Sequence, residues 1–569
     1  MKKMIPPVGY EDLKEIIEKG LYYVDKSLMI RELLDSAGKV TLLTRPRRFG
    51  KTLNLSMIRR FFEDERNIHG ERIDNRQVFK NLAISRCGES YQKHQQQYPV
   101  ISLSLKSAKQ KKFEDAYAML KKQISEEFRR HSYVLDGNRI SKEEKDSYWR
   151  IMERTCGNEE YLDALHFLCK CLNTWHGKKA IILIDEYDVP LENAYMEGFY
   201  EEMVAFLRSI FESALKTNNF LEFAVITGCL RISRESIFTG LNNLEIHSVL
   251  SHRYDSCFGF TEDEVKAMLH SCGLSEKYPE LKAWYDGYCF GSREIYNPWS
   301  IVNYVKNAEA DSRAFPRPYW SNTSSNDIIR QMIENADEET RSEIERLMEG
   351  DTVEKPIHEE ITYDEIHSSR DNLWNFLFFT GYLKSCGQRQ DDSGLYLQMA
   401  IPNNEVRGIY RQSILKWFEH KVADLDRGVL IKALENGDCE TAGKFLSEQL
   451  MDTISYFDYA ENYYHGFLAG LLKGAGNYQV QSDRESGSGR PDLLLKEKKF
   501  MGKAMVLEVK IAQRFDEMEA KCEEALTQIK ENHYAEPLLA DGYRPVLSYG
   551  ICFFKKGCIV KKGEAITRV

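Results

Sequence analysis

A short β-branched and apolar run, Val40–Thr44, passes without a spacer into Arg45-Pro46-Arg47-Arg48-Phe49-Gly50-Lys51-Thr52 and then into helical periodicity over Leu53–Glu63. A strand, a basic loop ending in Gly-Lys-Thr and a helix N-terminus confine this part of the chain to a parallel α/β architecture. Three further β-rich runs, Val100–Leu105, Ile181–Ile184 and Phe223–Thr227, alternate with helical stretches up to about residue 250. Strands apolar on both faces, separated by helices, predict a parallel sheet with helices on both sides.

The loop has the chemistry of a phosphate site. Backbone N–H groups at a helix N-terminus face an anion, and aligned peptide dipoles favour it. In that arrangement Lys51 reaches the β- and γ-phosphates of a nucleotide, the Thr52 hydroxyl is a Mg²⁺ ligand, and Gly50 lets the backbone turn close to the phosphates. Arg47 and Arg48 add positive charge to the same loop. The pattern G-x-x-x-x-G-K-[ST] places a glycine where this chain has Arg45, so the turn there must avoid a glycine-only conformation, with the fixed φ of Pro46 as an aid.

A second run, Ala180–Ile184, ends in Asp185 and Glu186. Beside a phosphate loop, the first acid holds Mg²⁺ through its water shell and the second polarises the attacking water. A third run ends at Thr227-Gly228, with Arg231 close behind. Thr227 is placed to sense a γ-phosphate; Arg231 either offsets transition-state charge, within one subunit or on a neighbour, or forms a surface salt bridge.

At 569 residues the chain is too long for one core, and changes of pattern divide it at 1–250, 251–450 and 451–569. The middle region reads as mainly helical, with a charged stretch at Glu338–Glu349 and an amphipathic one at Asn404–Phe418. The last region reads as a helix, strands around Leu493–Leu495, Ala504–Val509 and Leu547–Phe554, and a helix at Met518–Lys530 between the last two. It carries a second chemical pattern, Arg490-Pro491-Asp492 followed by Leu507-Glu508-Val509-Lys510. Residues two apart on a strand share a face, so Glu508 and Lys510 project together. Asp492 lies sixteen residues before Glu508, a spacing that permits a hairpin bringing the two carboxylates side by side. Two hard carboxylates suit Mg²⁺, and an adjacent ammonium suits a phosphoryl transition state.

These pieces together resemble a family of prokaryotic AAA-ATPase-like proteins that end in a PD-(D/E)xK nuclease-type domain. The resemblance rests on Ile5-Pro6-Pro7-Val8-Gly9-Tyr10, Tyr22–Ser27, Arg45–Thr52, Leu183–Asp188, Thr227-Gly228, Gly240–Asn243, Trp284–Tyr288 and Tyr296–Ser300, and it spans nearly the whole chain. It implies that Arg45 is the usual residue at its position. It also implies an additional acid at Glu461, on the helix before the nuclease strands, and a glutamine near the active site at Gln528. The QxxxY pattern is not met, because Tyr534 lies too far on. The aromatics of Trp284–Ser300 either pack a small lid or present a binding surface.

The expected fold is thus an α/β P-loop sheet, a helical lid and middle region, and a C-terminal restriction-endonuclease-like α/β domain. The expected cofactors are ATP and Mg²⁺, and DNA or RNA is the expected partner. A net charge of −10 argues against a protein that coats nucleic acid. From Arg484 onward, however, 16 Lys/Arg stand against 13 Asp/Glu, which suits local phosphate binding. No run of about 18 apolar residues is present and no apolar segment follows the basic start, so neither a membrane span nor a signal peptide is expected. Thirteen scattered cysteines without a CxxC pair fit reduced thiols and a cytoplasmic setting. Homo-oligomerisation stays open. The reading is an ATP-regulated, Mg²⁺-dependent nuclease; the alternative is a nucleotide-dependent switch or scaffold whose C-terminal domain binds nucleic acid or a partner protein without cutting.

Overall fold

β1 (Val40–Thr44) is buried at every position, as a central strand covered on both faces must be. A computed structural model describes residues 6–565 except 232–236, 239–240, 312, 321–326, 335, 360–369, 393, 425–427, 452–460, 474–476, 483–490 and 500. Ile5, Gly240 and Arg490 of the motifs above lie outside the described residues. β2 (Val100–Ser104), β3 (Ala180–Asp185), β4 (Leu221–Gly228) and β5 (Leu244–His247) complete a parallel sheet in the order β2-β3-β4-β1-β5. β4 therefore separates the strand of the Gly-Lys-Thr loop from the strand of the paired acids. Its C-terminal end lies beside both: Leu43 is registered with Thr227, and Ile184 with Ile226.

The region after β5 is not purely helical. β6 (Tyr288–Phe290) and β7 (Arg293–Ile295) form a hairpin, while β8 (Val353–Pro356), β9 (Lys384–Asp391) and β10 (Gly394–Ala400) form a sheet in the order β8-β10-β9. Tyr285, Tyr296, Ile301 and Tyr304 belong to one buried cluster, so the aromatics around Trp284–Ser300 largely pack a core. The chain divides into two compact units, one of residues 1–325 and 352–408, the other of 326–351 and 409–569. Residues 251–450 are thus shared between them.

In the second unit, β11 (Tyr478–Ser482), β12 (Leu493–Glu497), β13 (Ala504–Ile511), β14 (Val546–Phe554) and β15 (Gly557–Lys562) form one sheet in chain order. β13 and β14 are parallel and the other pairs antiparallel. The helix Met518–Glu531 is the crossover between the parallel pair. Its Met518, Cys522, Ala525 and Ile529 are buried, while the helix Glu461–Leu472 sends Tyr464, Phe467, Leu468 and Leu471 into a separate core cluster with Leu507 and Val509 of β13. No helix among the described residues is long and apolar enough to cross a membrane.

Candidate nucleotide and metal-assisted hydrolysis sites

The loop after β1 turns through two left-handed residues, Arg48 (φ 71°) and Gly50 (φ 86°), not through Arg45. Gly50 caps the helix Lys51–Phe62 without a side-chain hydrogen bond, leaving first-turn N–H groups for an anion. The three arginines of the loop have separate surroundings. Arg45 is fully buried: its guanidinium donates to the carbonyls of Thr44 (2.8 Å), His247 (2.8 Å) and Tyr254 (3.2 Å) and lies against the rings of Phe258 and Phe290. Burial lowers its pKa to about 10. It knits β1, β5 and the following segment together. Arg47 pairs with Glu192 on the helix Val189–Glu197. Arg48 sits 4.4 Å over the Trp299 ring. To contact a phosphate through the guanidinium, Arg47 and Arg48 must leave these partners.

Lys51 is 6% exposed, and its three ammonium protons meet the carbonyls of Arg45 (2.8 Å) and Pro46 (2.9 Å) and the Cys229 sulfur (3.4 Å). Asp185 accepts from Thr52 Oγ1 at 2.6 Å through Oδ2 and from Thr227 Oγ1 at 2.5 Å through Oδ1. Hydroxyl and carboxylate are thus adjacent hard oxygen donors at the loop, which fits a partly hydrated Mg²⁺. Glu186 follows in a left-handed conformation (φ 54°). Burial, then the charge of Asp185, raises its pKa, while Lys51 and Lys106 pull it back. Arg231 meets Glu359 at 3.5 Å, and that carboxylate also accepts from Ser248.

Two neighbours of this site carried no role in the sequence reading. Asp188, 3% exposed, accepts from the backbone N–H groups of Cys229 (2.7 Å) and Leu230 (3.1 Å). Burial raises its pKa; the Lys51 charge opposes this. Gly228 is required here, because a Cβ would come within 2.5 Å of the Tyr187 ring. The second neighbour is Glu405, at the start of the helix Asn404–Asp424. Its buried carboxylate accepts from Ser300 Oγ (2.7 Å) and the Trp320 backbone N–H (2.8 Å), and the Trp320 indole donates to the Arg47 carbonyl (3.2 Å). Only their position in the string marked these residues; their partners are distant in sequence.

Burial raises the Glu405 pKa from an ordinary 4.5 to about 7. The adjacent Tyr285 and Tyr288 hydroxyls are pushed up by burial and stay neutral. The folded state therefore binds this proton more tightly than the unfolded chain. Its contribution is full below the ordinary value and is lost as pH rises through about 7. In Glu405→Gln, the amide oxygen replaces the carboxylate toward Trp320 and the NH₂ donates to Ser300. Between about pH 5 and about pH 8 the parent is expected to lose about 2–3 kcal/mol more than this variant. Denaturation midpoints of both proteins at the two pH values check this; parallel losses would remove Glu405 as the titrating group.

In the second unit, β12 pairs Leu493 with Leu507, so Asp492 arrives beside Glu508. The Asp492 N–H lies 3.4 Å from Glu508 Oε2, its Oδ2 accepts from the Val509 N–H at 2.8 Å, and its carbonyl accepts from His465 Nε2 at 2.8 Å. Glu508 is 2% exposed. Lys510, on the same face, stands 3.7 Å from Glu508 Oε1 and donates to Gln528 Oε1 at 2.6 Å. Gln528 thus holds the ammonium beside the Glu508 carboxylate. Glu461 opens the helix that carries His465, with its side chain outside the described residues. Tyr534 packs in a core cluster. Among the described residues no group of three or more His, Cys, Asp or Glu converges as a metal cage. Two carboxylates with open coordination still fit Mg²⁺, which keeps several waters.

Comparison with known proteins agrees with both halves. A family model described as predicted AAA-ATPase matches residues 7–238, and a PD-(D/E)XK nuclease superfamily model matches residues 459–563. An Azotobacter chroococcum mcd 1 protein, described as an uncharacterized protein in the vnfD 5′ region, is 24% identical over 96% of each chain. The chain accordingly carries an AAA-ATPase-like domain in its first unit and a domain of the PD-(D/E)XK nuclease superfamily in its second.

Proposed function

We propose that the protein binds and hydrolyses ATP and that its C-terminal domain is a Mg²⁺-dependent nuclease acting on DNA or RNA under nucleotide control. The observation that carries this is the set Asp492, Glu508, Lys510 and Gln528, in which two strands and a helix bring paired acids and an oriented ammonium to one point. Asp492 and Glu508 would hold Mg²⁺, which when bound would supply an acidified water and offset charge on the scissile phosphate. Lys510 stabilises that charge directly, Gln528 orients Lys510, and Glu461 is assigned as the additional acid. At the other site Lys51 and Arg231 bind phosphate charge, with Arg47 and Arg48 in reserve on the loop. Gly50 admits the phosphates, Thr52 and Asp185 would hold Mg²⁺, Thr227 holds Asp185 in place, and Glu186 takes the water proton. All thirteen cysteines are free thiols, in keeping with a reducing cytoplasm.

One observation favours a second reading. The stretch from Arg484 onward holds 16 Lys/Arg against 13 Asp/Glu, a balance that suits a C-terminal domain gripping nucleic acid or a partner without cutting it. Labelled single- and double-stranded DNA and RNA, incubated with the protein with and without ATP and Mg²⁺, separate the two. Cleavage that needs Mg²⁺ and changes with ATP is expected. Nucleotide-sensitive binding with intact substrate would favour the second reading, and inert substrate with no binding would overturn both.

A further inference from the structure

The loop that ends in Lys51 is tied on its outer side to two tryptophans of the same unit. The Arg48 guanidinium lies over Trp299, and the Trp299 indole donates to the Tyr319 carbonyl at 3.2 Å. The Trp320 indole donates to the Arg47 carbonyl at 3.2 Å, and its ring packs against Tyr382 with centroids 4.9 Å apart and the planes tilted by 58°. Both ties end on one side chain. Glu405 accepts from Ser300, next to Trp299, and from the Trp320 N–H, with the Tyr319 N–H as a further donor. A carboxylate with no exposed surface, filled by donors from two segments, fixes those segments to its own backbone.

That backbone belongs to a particular helix. Asn404–Asp424 is continuous, yet the first unit ends at Gly408 and the second resumes at Ile409, so the chain changes units inside it. A helix rises about 1.5 Å per residue and does not bend cheaply, so displacement at its first turn is carried along its length. The Arg47 carbonyl shares a peptide plane with the Arg48 N–H, so any turn of that N–H toward a bound phosphate turns the carbonyl with it.

We infer that Trp320 and Glu405 form a relay that carries the nucleotide state of the Arg45–Thr52 loop into the helix Asn404–Asp424 and so into the nuclease-type unit. This rests on the reading that ATP binds at Lys51. Trp320 reads the loop, Glu405 couples Trp320 and Ser300 to the helix, and neither touches the reacting phosphate; both are positioning residues.

Amide hydrogen exchange on the full chain, with and without the slowly hydrolysed analogue AMP-PNP and Mg²⁺, tests the relay. In the parent, the analogue should slow exchange in the helix Lys51–Phe62 and alter it in residues 409–424 and in β12 and β13. Trp320→Phe removes the indole donor and keeps a ring against Tyr382. It should keep the first response and reduce the second about fivefold or more. Ser300→Ala, which deletes one hydroxyl, should weaken the second response in the same direction and serves if the aromatic variant does not fold. Transmission equal to the parent in a folded variant would overturn the relay. So would a parent whose loop is protected while nothing changes beyond Gly408, and that result would leave nucleotide binding standing. A parent with no protection at the loop would overturn the nucleotide reading and the relay with it.

Discussion

Replacing Lys510 by Met should reduce Mg²⁺-dependent cleavage about 10²–10³-fold, the usual cost of losing one positioned charge at a phosphoryl centre, while thermal stability stays close to that of the parent. The side chain is 18% exposed and is held by Gln528 and Glu508, so a thioether of similar length fills its volume without leaving a cavity. Asp492→Asn is the matching change at the metal. Its amide oxygen still accepts from the Val509 N–H, so the β12–β13 junction survives and only the charge is lost. The double variant should be little worse than either single one, because groups that act on one transition state lose their effect together. Gel assays at saturating Mg²⁺ with melting curves alongside measure this. Two folded variants that cut at the parent's rate would place the chemistry elsewhere.

The strands that hold these groups were the legible part. β1, β3 and β13 are buried on both faces over most of their length, and a continuous apolar run announces such a strand. β5 and β9 were not legible. β5 is only four residues long at the sheet edge, too short for the alternation of Leu244, Glu245, Ile246 and His247 to stand out, and most of β9 (Lys384–Asp391) is exposed and polar, without the two-residue alternation that marks a half-buried strand. The middle region is mainly helical, as its pattern indicates, and β9 is an exposed strand within it.

The site followed the same division. Glu508 and Lys510 lie two apart on one strand, and local geometry alone puts them together. Glu405 and Ser300 are 105 residues apart, and nothing in the spacing of either reveals the contact. The arginines of the loop make the limit plain. Arg45, Arg47 and Arg48 are chemically alike and nearly adjacent, yet one is locked in the core, one pairs with Glu192 and one covers Trp299. Only tertiary packing distinguishes them. Arg45 fills the place of a motif glycine without a left-handed backbone, because Arg48 and Gly50 make the turn.

Lys51→Met should abolish detectable ATP binding and with it ATP turnover, a loss of about 10³-fold or more. Glu186→Gln should bind ATP like the parent and hydrolyse it about 10²–10³-fold more slowly. The pair matters because each alone admits a trivial explanation. Lys51 donates to the carbonyls of Arg45 and Pro46, so its removal leaves two nearly buried acceptors without that donor and lowers stability by about 1–3 kcal/mol. Glu186, in contrast, has a pKa raised by burial and by Asp185, as a proton acceptor for water requires, and its amide is isosteric. Fluorescent-nucleotide titration separates binding from turnover. If Glu186→Gln turned over ATP like the parent, Glu186 would not be the proton acceptor. If Lys51→Met bound nucleotide as tightly as the parent, the buried ammonium would be a structural prop for the loop and nothing more.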